Sequence, residues 1–195
     1  MVFCKPVETP KPNPPSQTPK PTNPPQNSTD DADINFPYIS GYVDGTFRPN
    51  QAVTREELAT MMARLITKNR IPNETNQFKD LPENRFSTDA INYITKLGIM
   101  KPVASDTFNP YGTVSYKEFN EIVNRLKPYI KDESVSLPEG NGELTRVQAV
   151  VAFNQLFNVQ CNTSYTESPF TDVNEKTPNY KDIVCATVPR VEPRV

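Results

Sequence analysis

The sequence contains no histidine, no tryptophan, only three cysteines and six glycines. Without histidine the chain lacks the commonest general base and the commonest metal ligand. Cys4, Cys161 and Cys185 are an odd set with no CxxC pair, so their spacing does not suggest zinc. There is no Gly-rich phosphate loop and no nucleophile elbow. Neighbouring acids such as Glu56 and Glu57 diverge on a helix instead of converging on a substrate. An enzyme is therefore not expected, nor is a cofactor or a metal. Asp44-Gly45 hints at a calcium loop, but Val43, Thr46 and Phe47 do not supply the alternating oxygens such a loop needs. No apolar run approaches the roughly 20 residues of a membrane span, so no membrane insertion is expected. A net charge of −2 leaves no broad basic surface for nucleic acid. Met1-Val2-Phe3-Cys4 is too short for the charged and apolar regions of a secretory signal. Cys4 reads as an incidental thiol, whereas Cys161 and Cys185 could join in a disulfide outside the cell.

What is present divides into a tail and a body. The tail is residues 1–35, and from Lys5 to about Asn35 it is mainly Pro, Thr, Lys, Asn, Gln and Ser with almost nothing apolar. Such a stretch cannot bury enough surface to offset its ordering entropy, and a disordered linker is expected. Its prolines favour extended polyproline II stretches reaching on the order of 90 Å at most. The body runs over 36–188, and 189–195 form a short C-terminal tail.

Within the body one signature occurs three times. Thr54-Arg55-Glu56-Glu57, Ser115-Tyr116-Lys117-Glu118 and Thr145-Arg146-Val147-Gln148 each pair a hydroxyl with Glu or Gln three positions later. This is the capping box of a helix start. Apolar residues flank each cap as a hydrophobic staple: Val53 with Leu58, Val114 with Phe119, Leu144 with Ala149. Apolar residues then recur at i, i+3, i+4 and i+7, as in Leu58, Met61, Met62 and Leu65, which gives each helix one stripe for a shared core. A second pattern occurs twice. Phe78-Lys79-Asp80-Leu81 leads to a helix across Thr88 to Leu97 that stops at Gly98, and Phe170-Thr171-Asp172-Val173 leads to a shorter helix around Tyr180 to Thr187. Two loops also echo each other: Gly41-Tyr42-Val43-Asp44-Gly45-Thr46-Phe47-Arg48-Pro49-Asn50 and Ser105-Asp106-Thr107-Phe108-Asn109-Pro110.

The Gly41–Asn50 loop, followed by Val53-Thr54-Arg55 and Glu57 and then an amphipathic helix, resembles the S-layer homology (SLH) domain. Phe78 and Asp80 with Ala90, Ile91, Leu97, Gly98 and Ile99 resemble the leading half of such a repeat, and Phe170, Asp172 and Val173 with Tyr180 and Ile183 resemble it again. The resemblance implies an all-α fold: a three-pronged, pseudo-threefold bundle of helix-loop-helix repeats over about 36–68, 78–127 and 140–158. A closing helix at 170–188 makes the order circularly permuted. No leading helix is legible between Lys127 and Glu143. The implied function is non-covalent anchoring of a surface protein to the Gram-positive cell wall through a secondary cell wall polysaccharide, often pyruvylated. Localisation would be the bacterial cell surface. A helical protein–protein module, self-associating into a surface lattice, is the alternative.

Arg55 and Arg146 sit at the first helical position, where a cation opposes the helix dipole by about 0.3–1 kcal/mol. Helix stability does not account for them. A guanidinium beside free N–H groups can hold a carboxylate such as a pyruvate ketal, and the resemblance implies that role for the Arg of its Thr-Arg motif. A solvated or core-bridging arginine is the alternative. Gly41 and Tyr42 join the candidates from the loop motif. Tyr116 could stack on a sugar, with Lys117 as a point charge beside it. Asp80 and Asp172 could accept from sugar hydroxyls or cap the following turn. Phe86 and Tyr180 stand near the place where a Trp opens the leading helix in the family; each reads as a sugar platform or as core, with core favoured for Phe86.

Overall fold

A computed structural model describes residues 36–82, 85–159 and 167–187. Among the described residues the regular structure is helical: α1 (Arg55–Thr67), α2 (Thr88–Lys96), α3 (Tyr116–Leu126), α4 (Arg146–Leu156) and α5 (Tyr180–Thr187), with a 3-10 turn at Lys127–Tyr129. None of these helices is long and apolar enough to cross a membrane. The expected linker at 1–35 and tail at 189–195 lie outside the described residues.

The helix starts follow the sequence reading in two cases of three. Thr54 accepts from the Glu57 amide at 3.3 Å, and the Glu57 carboxylate accepts from the Thr54 amide at 2.9 Å. Thr145 and Gln148 repeat this arrangement at the same distances. At α3 the box is only half formed. Ser115 caps the Glu118 amide at 3.1 Å, but the Glu118 carboxylate turns away to Arg55. The staple residues Val53, Leu58, Val114, Phe119, Leu144 and Ala149 are all fully buried. Each large side chain among them contributes about 1.5–3 kcal/mol relative to exposure. α1 packs on α2 and α4 on α5, while Phe119 of α3 meets Phe153 of α4 edge-on at 5.8 Å.

The residues just before the three caps join in a ring. The Val53 amide donates to the Leu144 carbonyl (2.8 Å), Leu144 to Val114 (2.8 Å) and Val114 back to Val53 (3.2 Å). A second cycle lies beside it. Arg55 N–H donates to the Gly112 carbonyl, Tyr116 N–H to Gly142, and Arg146 N–H to Gln51. Each donor is the first residue of a helix, and each acceptor stands three residues before the next helix's cap.

Each leading segment grips a loop that follows it around this ring. Asp80 accepts from the amides of Phe108 (3.0 Å) and Asn109 (2.7 Å); Asp172 accepts from those of Phe47 and Arg48, both at 2.7 Å. Phe78 stacks on Phe108 at 5.7 Å and Phe170 on Phe47 at 5.3 Å. Lys79 N–H donates to Asp106, and Thr171 N–H to Gly45. Both Asp residues thus bind backbone of a distant loop, and neither caps its own following turn. Arg48 and Asn109, the second residue of each gripped pair, both have left-handed backbone, with φ of 58° and 60°. The C-terminal segment therefore completes the N-terminal loop. Tyr38 ties the same region together from the other side: its N–H reaches Ala186 and its hydroxyl reaches Asn154 at 2.7 Å. Between Lys127 and Glu143 lie the 3-10 turn and irregular backbone, with no further helix. Cys185 is disulfide-bonded, and its expected partner Cys161 lies outside the described residues.

The Asp clamp gives a stability prediction. Asp80→Ala leaves the Phe108 and Asn109 amides without their charged acceptor and should cost about 1.5–3 kcal/mol. Urea denaturation of the variant beside Lys79→Ala, whose exposed ion pair is worth far less, should separate the two by midpoint.

Candidate functional site

The helix-start arginines are placed differently from open anion hooks. Arg55 and Arg146 are 4% and 2% exposed. Arg146 donates from Nε to the Phe47 carbonyl (2.9 Å), from Nη2 to Ser40 (2.8 Å) and from Nη1 to the Glu57 carboxylate (2.7 Å). Arg55 does the same one step round the ring, to Phe108, Lys101 and Glu118. Their guanidinium groups also lie over aromatic rings, Arg55 over Phe108 at 4.5 Å and Arg146 over Phe47 at 4.7 Å. Burial pulls the Arg55 pKa down, and Glu118 opposes that shift. The dipole conflict is met inside the protein, by a carboxylate and two carbonyls.

The amides of these helix starts are taken as well. In α1, Thr54 donates to Glu57, Arg55 to Gly112, Glu56 to Pro110 and Glu57 to Thr54 Oγ1. In α4, Thr145 donates to Gln148, Arg146 to Gln51, Val147 to Pro49 and Gln148 to Thr145 Oγ1. The expected anion cradles of free N–H groups are therefore filled by the protein's own backbone and caps. Tyr116 holds the equivalent position in α3. Its hydroxyl accepts from Gln148 Nε2 at 3.0 Å, so it takes the part that arginine plays in the other two helices. Lys117 beside it is exposed.

The loop candidates are also engaged. Tyr42 donates its hydroxyl to Glu57 at 2.9 Å, and both Arg48 (4.0 Å) and Arg146 (4.8 Å) lie over its ring. Burial, with Glu57 adding to it, pushes the Tyr42 pKa up to about 12. At Gly41 an added Cβ would stand 2.2 Å from Cε1 of Phe170, so glycine here admits the ring that closes the loop. Tyr180 opens α5, half-buried and packed against the core.

Phe86 reverses the preference for core: it is 43% exposed. It belongs to a cluster that spacing alone did not single out. Arg85 directs Nε and Nη2 into the carboxylate of Glu56, which is only 5% exposed and also accepts from Ser87 Oγ at 2.8 Å. Held in this way, the Arg85 guanidinium lies 4.5 Å from the ring centre of Tyr111 and 5.7 Å from that of Phe86. Tyr111 is 60% exposed. The result is an oriented, partly neutralised guanidinium between two solvent-facing aromatics, at the corner where α1, the approach to α2 and the 108–111 loop meet. Two sequence signals pointed this way. The α1 start carries two consecutive acids, of which the capping box uses one, and Tyr111 follows the echoed Phe-x-Pro where the first loop has Asn50.

Residues 38–59 and 77–119 match the S-layer homology domain model. Two relatives from Acetivibrio thermocellus are similar to part of this chain. A protein named cellulosome-anchoring protein is 30% identical over 93 residues, covering 46% of this chain and 21% of the relative. A protein named cell surface glycoprotein 1 is 28% identical over 100 residues, covering 50% of this chain and 4% of the relative. The chain thus spans a small part of the curated relatives it matches. In the matched segment Arg55 is buried against Glu118 of α3, and exposed aromatic and charged groups meet at Arg85, Phe86 and Tyr111.

Two outcomes follow. Arg55→Ala leaves two carbonyls and the Glu118 carboxylate, 32% exposed, without their donor, so unfolding should be easier by about 1.5–3 kcal/mol; calorimetry or urea titration would measure it. Tyr42 should ionise near pH 12 in ultraviolet titration of the folded protein. Because its folded pKa lies above the ordinary 10.0, its contribution to stability is complete below about pH 10 and lost as pH rises towards 12. Tyr42→Phe should remove that part of the alkaline unfolding profile.

Proposed function

We propose that this module attaches a surface protein non-covalently to the bacterial cell wall by binding a secondary wall polysaccharide that carries acidic, pyruvate-type substituents. The observation that carries the reading is the Arg85, Phe86 and Tyr111 corner. Exposed aromatic rings offer apolar faces to sugar C–H surfaces. The remaining N–H groups of Arg85 suit a carboxylate, and the Glu56 fork fixes their direction. The match to the SLH model and the name of the cellulosome-anchoring relative support surface anchoring. The same reading assigns localisation at the cell surface.

Architecture fits this proposal. We take the ring through Val53, Val114 and Leu144 as the axis of a pseudo-threefold, three-pronged module whose permuted order is closed by the 170–187 segment. Arg55, Arg146 and Tyr116 then act as joints between prongs, with Asp80 and Asp172 as loop clamps. Their contribution to binding is to hold the corner in shape.

Pull-down on purified Gram-positive walls tests the function. The chain should sediment with untreated walls and stay in solution once the acidic polymer has been stripped. Equal retention on both preparations, or none on either, would overturn the proposal.

A further inference from the structure

We infer that this module has one working sugar-binding corner, at Arg85, Phe86 and Tyr111, and not one per helix start; the inference rests on the wall-polysaccharide reading above. The repeat geometry makes the comparison residue by residue. The Phe78 and Asp80 segment and the Phe170 and Asp172 segment grip their loops through the same contacts. α2 begins at Thr88 and α5 at Tyr180, the same distance after the two phenylalanines. Arg85 and Phe86 therefore correspond to Thr177 and Pro178. Glu56 and Val147 both donate their amides to the proline of the next loop, Pro110 and Pro49, so they correspond too. The residue after each proline is Tyr111 at one corner and Asn50 at the other.

The α4–α5 corner thus has Val147, Thr177, Pro178 and Asn50 where the α1–α2 corner has Glu56, Arg85, Phe86 and Tyr111. None of these four replacements supplies a guanidinium, a carboxylate to hold one or an aromatic face. The half-exposed Val147 there lines a shallow cavity of ≈ 190 Å³. The α3 corner diverges further. Its leading position is a 3-10 turn and irregular backbone, and Lys117 stands where Glu56 does in α1. All three joints between helices are kept, whereas Glu, Arg and two aromatics at these repeat positions occur together once among the described residues; Arg48, over Tyr42 and paired to Asp44, stands elsewhere in its loop.

A titration of the full chain with short oligosaccharides released from purified Gram-positive wall by mild acid, separated into neutral and acidic fractions, tests this. The expected result is a stoichiometry of one on the acidic fraction. The double variant Phe86→Ala with Tyr111→Ala should bind at least about tenfold more weakly. Both side chains are exposed, so an unchanged melting profile is expected. Asn50→Ala with Pro178→Ala should bind as the unmodified chain does. A stoichiometry of two or three, or a Phe86/Tyr111 double variant within about twofold of the parent, would overturn the single corner and leave wall anchoring standing. Absence of binding to either fraction by the unmodified chain would overturn the anchoring reading itself, and this inference with it.

Discussion

The fold depends on one repeated contact: the first side chain of each capped helix reaches the Glu or Gln in the first turn of another. Arg55 reaches Glu118, Tyr116 reaches Gln148, and Arg146 reaches Glu57. The acceptor in each case stands three residues after its own cap, so the joint between units and the start of a helix are made from the same group. Glu57 serves both duties, one oxygen for the Thr54 amide and the other for Arg146. Glu118 serves only the joint, which explains why α3 has half a capping box. A buried guanidinium survives here because a carboxylate and two carbonyls surround it; the desolvation cost would otherwise be prohibitive.

That economy separates framework from surface. The charged residues with the most distinctive sequence positions are consumed in holding units together. The chemistry left facing solvent comes from positions outside the capping signature, at Arg85, Phe86 and Tyr111. Glu56 links the two layers, since it stands in the first turn of α1 and yet orients Arg85 at the rim.

Local features were well legible in the sequence. The caps, the stripes, the stop after Lys96 at left-handed Gly98 and the span of α5 all arise from neighbours a few residues apart. The destinations of polar groups were not legible. Arg55 meets a partner 63 residues away and Arg146 one 89 residues away. In one dimension such a residue reads as an unpaired cation at the wrong end of a dipole, and a bound anion is the natural inference. Asp80 and Asp172 misled in the same manner: their acceptors' reach goes across the fold to loop amides, while turn chemistry and sugar contact both assume a local or external partner. For Phe86 the sequence left a sugar platform and core both open and favoured core, and only its neighbours Arg85 and Tyr111 explain an exposed ring.

The grip of Asp172 on Phe47 and Arg48 spans 125 and 124 residues. Contacts of such separation come late in folding, because loop closure must precede any gain from them. As the chain leaves the ribosome, α1 can pack on α2 and the Asp80 clamp can close while the first loop still waits for residues not yet synthesised. The most diagnostic stretch of the sequence is therefore among the last to acquire its final structure, and nascent chains should pass through a state with one finished clamp and one open loop.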